Sequence, residues 1–120
     1  MAPPVQEASI VAWSDELHVQ ENRACYDEKY DAVLDILSPV LEVNRPAAGF
    51  YLWPKLPVDD ETFTREMYAQ YNVDVVPGSY LACEVDGSNP GAGRSRLALV
   101  AELGACVEAA ERIRNYVESL

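Results

Sequence analysis

Lysine is almost missing from this 120-residue chain. Lys29 and Lys55 are the only two, and the seven arginines are scattered. A nucleic-acid binder displaces counterions with clustered Lys and Arg. DNA, RNA and anionic membrane surfaces are therefore excluded as primary partners. Against 9 basic residues stand 20 acidic ones, for a net charge of -11, a balance that serves solubility. His18 is the only histidine. It has no cysteine or second histidine near it, which argues against zinc and for a surface or capping role. No apolar run reaches the roughly 18 residues needed to span a bilayer. The opening Met1-Ala2-Pro3-Pro4 lacks the basic start and apolar stretch of a signal peptide. Cys25, Cys83 and Cys106 are odd in number and form no Cys-x-x-Cys pair. Buried, reduced thiols in a cytoplasmic protein are the expectation.

What is present is enough apolar surface for a core. Hydrophobic residues make up 49% of the chain, and they are spread along its whole length. A single domain of this size buries roughly two-thirds of its extended-chain surface. Residues 5–12 read as a short helix. A long helix is expected over 15–37, with Asp15 as its cap and an apolar stripe at Val19, Tyr26, Tyr30, Val33 and Leu37. Pro39 stops it. Its length suits a connector between two bodies, so it should be partly exposed along one side. Phe50 to Trp53 reads as a strand between Gly49 and Pro54. Asp59 or Asp60 can cap a helix with the stripe Phe63, Met67 and Tyr71. Strands are expected over 73–76, 80–83 and 94–100, a loop over 86–93, and a last helix over about 102–118 with the stripe Cys106, Ala109 or Ala110, Ile113, and Tyr116 or Val117. The fold class is α+β: a small mixed or antiparallel sheet with helices on one side, preceded by a long interdomain helix.

Arg96 is the residue with the most chemical content. In a strand, Arg94 and Arg96 share a face with Ala98 and Val100. An arginine on a face expected to turn apolar needs an anionic partner, and its planar fork matches a carboxylate. That partner is either a substrate carboxylate or one of the chain's own acids; the residues alone leave both open. Asn89 to Gly93 lacks the lysine and spacing of a phosphate loop and reads as a plain loop. Pro77-Gly78-Ser79-Tyr80 reads as a turn able to form a pocket rim. The acids are too many to single out an acid/base pair.

Several stretches occur together and in order: Ala12 to Val19, Glu21-Asn22-Arg23, Tyr26 to Lys29, Gly49 to Trp53, Val76 to Leu81, Asn89-Pro90-Gly91, and Arg96 to Val100. This set resembles the C-terminal third of fold-type I, class I/II aminotransferases, and most of all the succinyldiaminopimelate aminotransferases of bacterial lysine biosynthesis. The resemblance implies a homodimeric parent enzyme that uses pyridoxal phosphate to move an amino group from an amino acid to a keto acid. It implies that Arg96 binds the substrate α-carboxylate, that Tyr80 lies in a loop near the active-site mouth, and that Gly49 and Phe50 approach the substrate. Residues 1–13 would be the tail of a missing N-terminal large domain, and residues 14–120 the C-terminal small domain. The Schiff-base lysine belongs to a Ser-Lys segment that neither Lys29 nor Lys55 occupies, so no cofactor and no activity are expected of this chain alone. Met1 before Ala2-Pro3-Pro4 suggests an expressed fragment or a truncated reading frame. The alternative is a free-standing acidic module that binds a ligand or protein with the same fold.

Overall fold

A computed structural model describes all 120 residues. Helix α1 spans Pro3–Ser14, longer than the expected 5–12, because Pro3 and Pro4 supply the preset φ of a first turn. It buries no residue; Val11 and Trp13 stand in solvent. Helix α2 spans Leu17–Leu37. The N-cap residue is Glu16, not the expected Asp15, and its side chain makes no cap bond; Asp15, one residue earlier, accepts from the Leu17 amide at 3.0 Å. Only Tyr30, Val33 and Leu37, in the second half of α2, are buried. Residues 20–25 of α2 are exposed, and Tyr26 is the first side chain of the helix to pack against the core. The helix ends at Leu37, next to Ser38 and Pro39.

Strand β1 is Tyr51–Leu52, helix α3 is Asp60–Tyr71, strand β2 is Val76–Pro77, strand β3 is Ser95–Ala98 and helix α4 is Leu103–Glu118. The sheet has the order β1-β3-β2 and is antiparallel throughout. Tyr51 faces Ala98 and Leu52 faces Leu97 on one side; Val76 faces Arg96 and Pro77 faces Ser95 on the other. Pro77 fits because β2 is an edge strand, where its missing N–H breaks no ladder.

Four strands were expected and three form. Over 73–76, Val73 and Val75 alternate inward, but only Val76 and Pro77 pair with β3. No strand forms over 80–83. Gly78–Tyr80 is a 3₁₀ turn instead, closed by the Leu81 amide on the Gly78 carbonyl at 3.0 Å. The reason is packing: Tyr80 and Leu81 are both exposed, so no second sheet face exists for them to cover.

The core lies between the inner face of the sheet and the helices. Leu52, Leu97 and Leu99 meet Val33 and Leu37 of α2, Phe63 and Met67 of α3, and Ala110, Ile113 and Tyr116 of α4. Tyr116 packs edge-on against Phe63 and Tyr71, with ring centroids 5.5 and 5.6 Å away. Its hydroxyl donates to Glu66 Oε2 at 2.5 Å. Burial, and then the Glu66 carboxylate, push that hydroxyl up to about 12. The thiols depart from expectation: Cys25 and Cys83 are exposed and only Cys106 is buried. Cys25 lies on the projecting part of α2 and Cys83 in a loop, so neither has a core to enter.

Strand β3 also corrects the sequence reading of its faces. Ser95, Leu97 and Leu99 point into the core, while Arg94 and Arg96 are half-buried and Ala98 and Val100 are exposed on the other face. The period of two assigns the two leucines, the larger apolar residues, to the inside. The arginines thus share the open face and carry no charge into the core.

Asp59 caps α3, accepting from the Thr62 amide at 3.0 Å. Its neighbour Asp60 has a different task. Asp60 is only 2% exposed. Its Oδ2 accepts from the Ser79 amide at 2.8 Å and its Oδ1 from the Gly93 amide at 3.2 Å. Burial alone would raise this carboxyl, but the hydrogen bonds from Ser79 and Gly93 outweigh it and hold the group below its ordinary value. A lowered folded value contributes stability above the unfolded value of about 3.9 and loses it as pH falls through the folded one. Asp60→Asn keeps the shape but turns an NH₂ toward an N–H donor. At neutral pH it should cost about 1–3 kcal/mol, read as a fall of several degrees in melting midpoint. The gap to the parent should narrow below about pH 4; a gap constant with pH would contradict this assignment.

Candidate functional site

Arg96 sits in the middle of the sheet, on its open face. The Tyr51 ring of β1 lies beside it, with the guanidinium carbon over the ring at 4.8 Å from its centroid. Arg96 Nε is covered and has no hydrogen-bond partner. No acid of the chain pairs with Arg96. Arg45 is held by Asp27 and Asp31, Arg112 by Glu108 and the Tyr71 carbonyl, and Arg114 by Glu118. Arg94 donates to the Trp53 carbonyl at 3.1 Å. Of the two readings the residues left open, an internal salt bridge is not what forms. A covered donor without an acceptor is uncommon in a folded chain and calls for an explanation.

Gly49 lies in the loop before β1 with φ +95, a left-handed region that favours glycine. It lines a surface cavity of about 410 Å³ together with Arg23, Tyr26, Tyr30 and Arg45. The step from Gly49 to Arg96 is aromatic: the Phe50 and Tyr51 rings are 4.3 Å apart, and Tyr51 meets Arg96. Tyr80 is 70% exposed at the end of the 3₁₀ turn. That turn leaves edge strand β2, and the Gly78 amide donates to the Arg94 carbonyl at 2.8 Å. The structure brings Tyr51 against Arg96, while Gly49, two residues earlier, lines a cavity that Arg96 does not. It sets the Tyr80 turn along the opposite edge of β3, with no hydrogen bond from Tyr80 itself. A second cavity, of about 370 Å³, lies on the inner side between α4, β3 and residues 72–75, and its walls are mostly apolar. Arg96 does not line it.

Three residues that position this face escaped the sequence reading. Tyr51 was read only as strand. Asp60 was read only as an alternative cap, although a second acid behind a complete cap was a signal. Asn89 was read only as loop. Its Nδ2 donates to the Ser79 carbonyl at 2.9 Å and its Oδ1 accepts from the Gly91 amide at 2.9 Å, so it clamps two loops as Asp60 does.

The two lysines differ in setting. Lys29 Nζ donates to the Leu99 carbonyl at 3.1 Å and lies over the Tyr26 ring. Lys55 pairs with Glu42 at 3.8 Å. No helix is long and apolar enough to cross a membrane.

A three-stranded antiparallel sheet, helices packed on its inner face and a long projecting helix define the small α+β domain of an aminotransferase. The chain belongs to the aminotransferase class I and II family, whose model matches residues 2–113. It is 32% identical over 116 residues to the LL-diaminopimelate aminotransferase of Nitratidesulfovibrio vulgaris, covering 92% of this chain and 28% of that one. A solved aminotransferase from Neisseria meningitidis superposes with a TM-score of 0.92 at 46% identity, covering 97% of this chain and 30% of that one. A probable N-succinyldiaminopimelate aminotransferase from Thermus thermophilus superposes with a TM-score of 0.63 at 36% identity, covering 76% and 23%. The chain thus spans less than a third of the length of these relatives.

The turn beside β3 depends on two glycines in backbone contact. A Cβ on Gly78 would stand 2.2 Å from the Gly91 carbonyl oxygen and 2.8 Å from that of Arg94. Those are backbone atoms and cannot swing away. Gly78→Ala should push the loops apart and cost about 1–3 kcal/mol. It should also disturb Trp53, whose ring tip would lie 3.0 Å from the new carbon. A melting curve and a Trp fluorescence spectrum unchanged from the parent would refute the contact.

Proposed function

We propose that this chain is the carboxylate-binding C-terminal domain of a pyridoxal-phosphate-dependent transaminase. The amino acid it serves is N-succinyl-LL-diaminopimelate or a close relative, which gives the enzyme a place in lysine biosynthesis. The observation that carries the reading is Arg96: a half-buried arginine on the outer face of the sheet, beside the Tyr51 ring, with no acid of the chain paired to it. A guanidinium in that state is ready to receive an α-carboxylate through two parallel hydrogen bonds. The diaminopimelate chemistry named for two of the relatives supports the substrate class.

Pyridoxal phosphate, when bound, serves as the electron sink for amino-group transfer. The residues present do not fit a site for it: Lys29 Nζ is bonded to the Leu99 carbonyl, and Lys55 is an exposed side chain that lines neither cavity. On this reading the Schiff-base lysine, the phosphate cradle and the partner of the ring nitrogen lie in the large domain. Residues 1–13 are then the end of that domain, which accounts for a helix α1 that buries nothing. The complete enzyme is a cytoplasmic homodimer. Arg96 anchors each substrate by its carboxylate, and Tyr80 and Gly49 border the opening on either side.

Two outcomes follow for experiment. In the complete enzyme, Arg96→Lys keeps the charge and loses the fork. A charge-assisted hydrogen bond is worth roughly 1.5–3 kcal/mol, so kcat/KM should fall by about one to two orders of magnitude for both amino donor and keto acceptor. Arg94→Lys should do far less. Steady-state kinetics with both substrates check this; a crippled Arg94→Lys beside a normal Arg96→Lys would move the clamp by two residues, and an Arg96→Lys that unfolds would make the arginine structural. Separately, the 120-residue chain mixed with pyridoxal phosphate and borohydride should show no single, stoichiometrically labelled lysine by mass spectrometry. One specific labelled lysine would overturn the division of labour proposed here.

A further inference from the structure

We infer that Tyr51 is a positioning residue for the clamp: its ring backs the Arg96 guanidinium and so fixes where the carboxylate docks. The inference rests on Arg96 being the clamp proposed above.

A flexible guanidinium binds a carboxylate poorly unless something holds it in one orientation. Arg45, Arg112 and Arg114 are held by carboxylates and Arg94 by a carbonyl. Each of those contacts spends N–H donors. Arg96 has no such partner, and its Nε is nonetheless covered. Its defined neighbour is the Tyr51 ring, 4.8 Å from ring centroid to guanidinium carbon. An acid in that place would take the same donors the substrate needs. An aromatic ring attracts the cation through its quadrupole and leaves the donors unspent. A ring therefore fixes a clamp arginine without spending any of its donors.

The ring itself is braced. Tyr51 pairs with Ala98 across β1 and β3. Its carbonyl accepts from the Tyr30 hydroxyl of α2 at 3.4 Å. The Phe50 ring lies 4.3 Å from Tyr51 and 5.9 Å from Tyr26 of α2. The long helix thus sets Tyr51 from behind, and Tyr51 sets Arg96. None of these contacts uses the Tyr51 hydroxyl, so the ring alone carries the function.

Two measurements test this. On the 120-residue chain, NMR should show the Arg96 side-chain protons displaced upfield by the ring. Tyr51→Phe should keep that displacement and Tyr51→Leu should abolish it, with the Leu97 and Ala98 amides little changed. In the complete enzyme, Tyr51→Leu should raise KM for amino donor and keto acceptor about three- to thirtyfold, with kcat within about twofold. Tyr51→Phe should stay near the parent. If Tyr51→Leu does not fold, Tyr51→pentafluorophenylalanine keeps the ring's size with its quadrupole reversed, and it should raise KM in the same way. Arg96→Lys runs alongside. A normal Arg96→Lys would sink the clamp itself; a crippled Arg96→Lys with unaltered KM in the Leu or pentafluoro variant would overturn the role of Tyr51 alone.

Discussion

The Asp60 carboxylate is the interaction on which the open face depends. It sits in the first turn of α3, where the helix dipole favours a negative charge. Its two oxygens take the amides of Ser79 and Gly93. Ser79 follows edge strand β2 and Gly93 precedes central strand β3. One buried group therefore joins the exit of one strand to the entry of the next, across residues 78–94, whose own order is a 3₁₀ turn and one isolated bridge. Asn89 repeats the bridge between the same loops, and Gly78 and Gly91 let the backbones touch. A two-residue strand such as β2 has too few ladder bonds to hold its own register. The loop knot supplies it, and Val76 then faces Arg96 rather than a neighbour two residues away.

How much of this the sequence disclosed follows from the range of each interaction. Helices α3 and α4 were readable because their stripes are local: Phe63, Met67 and Tyr71 recur at one-turn spacing, and Asp59 caps the first helix from the adjacent position. Pro39 marked the end of α2 for the same reason. The fold class followed from the order of such segments. The failures are contacts made across long separations. Nothing near 80–83 says that Ser79 is taken by Asp60, so a run of apolar residues looked like a strand. The face of Arg96 depended on which residues of β3 met α2 and α4, and only the assembled core decides that in favour of Leu97 and Leu99. The thiols failed similarly, because Cys25 belongs to a part of α2 that packs on nothing in the domain.

With 20 acidic and 9 basic residues, Arg96 still meets no carboxylate. Arg23 and Arg65 form no ion pair either, but both are exposed, whereas Arg96 is half-buried with its Nε covered. The carboxylates that pair with arginines here stand on helices or in the loops beside them: Asp27 and Asp31 on α2, Glu108 and Glu118 on α4. The open side of the sheet presents Arg96 and Ala98 of β3, Arg94 and Val100 on either side of that strand, and Tyr51 of β1, with no acid among them. The strand thus offers cation and ring but withholds anion. That composition sets the Arg96 guanidinium beside a ring and not beside an anion. On the function proposed above, the anion that meets Arg96 on this face is the carboxylate of the substrate.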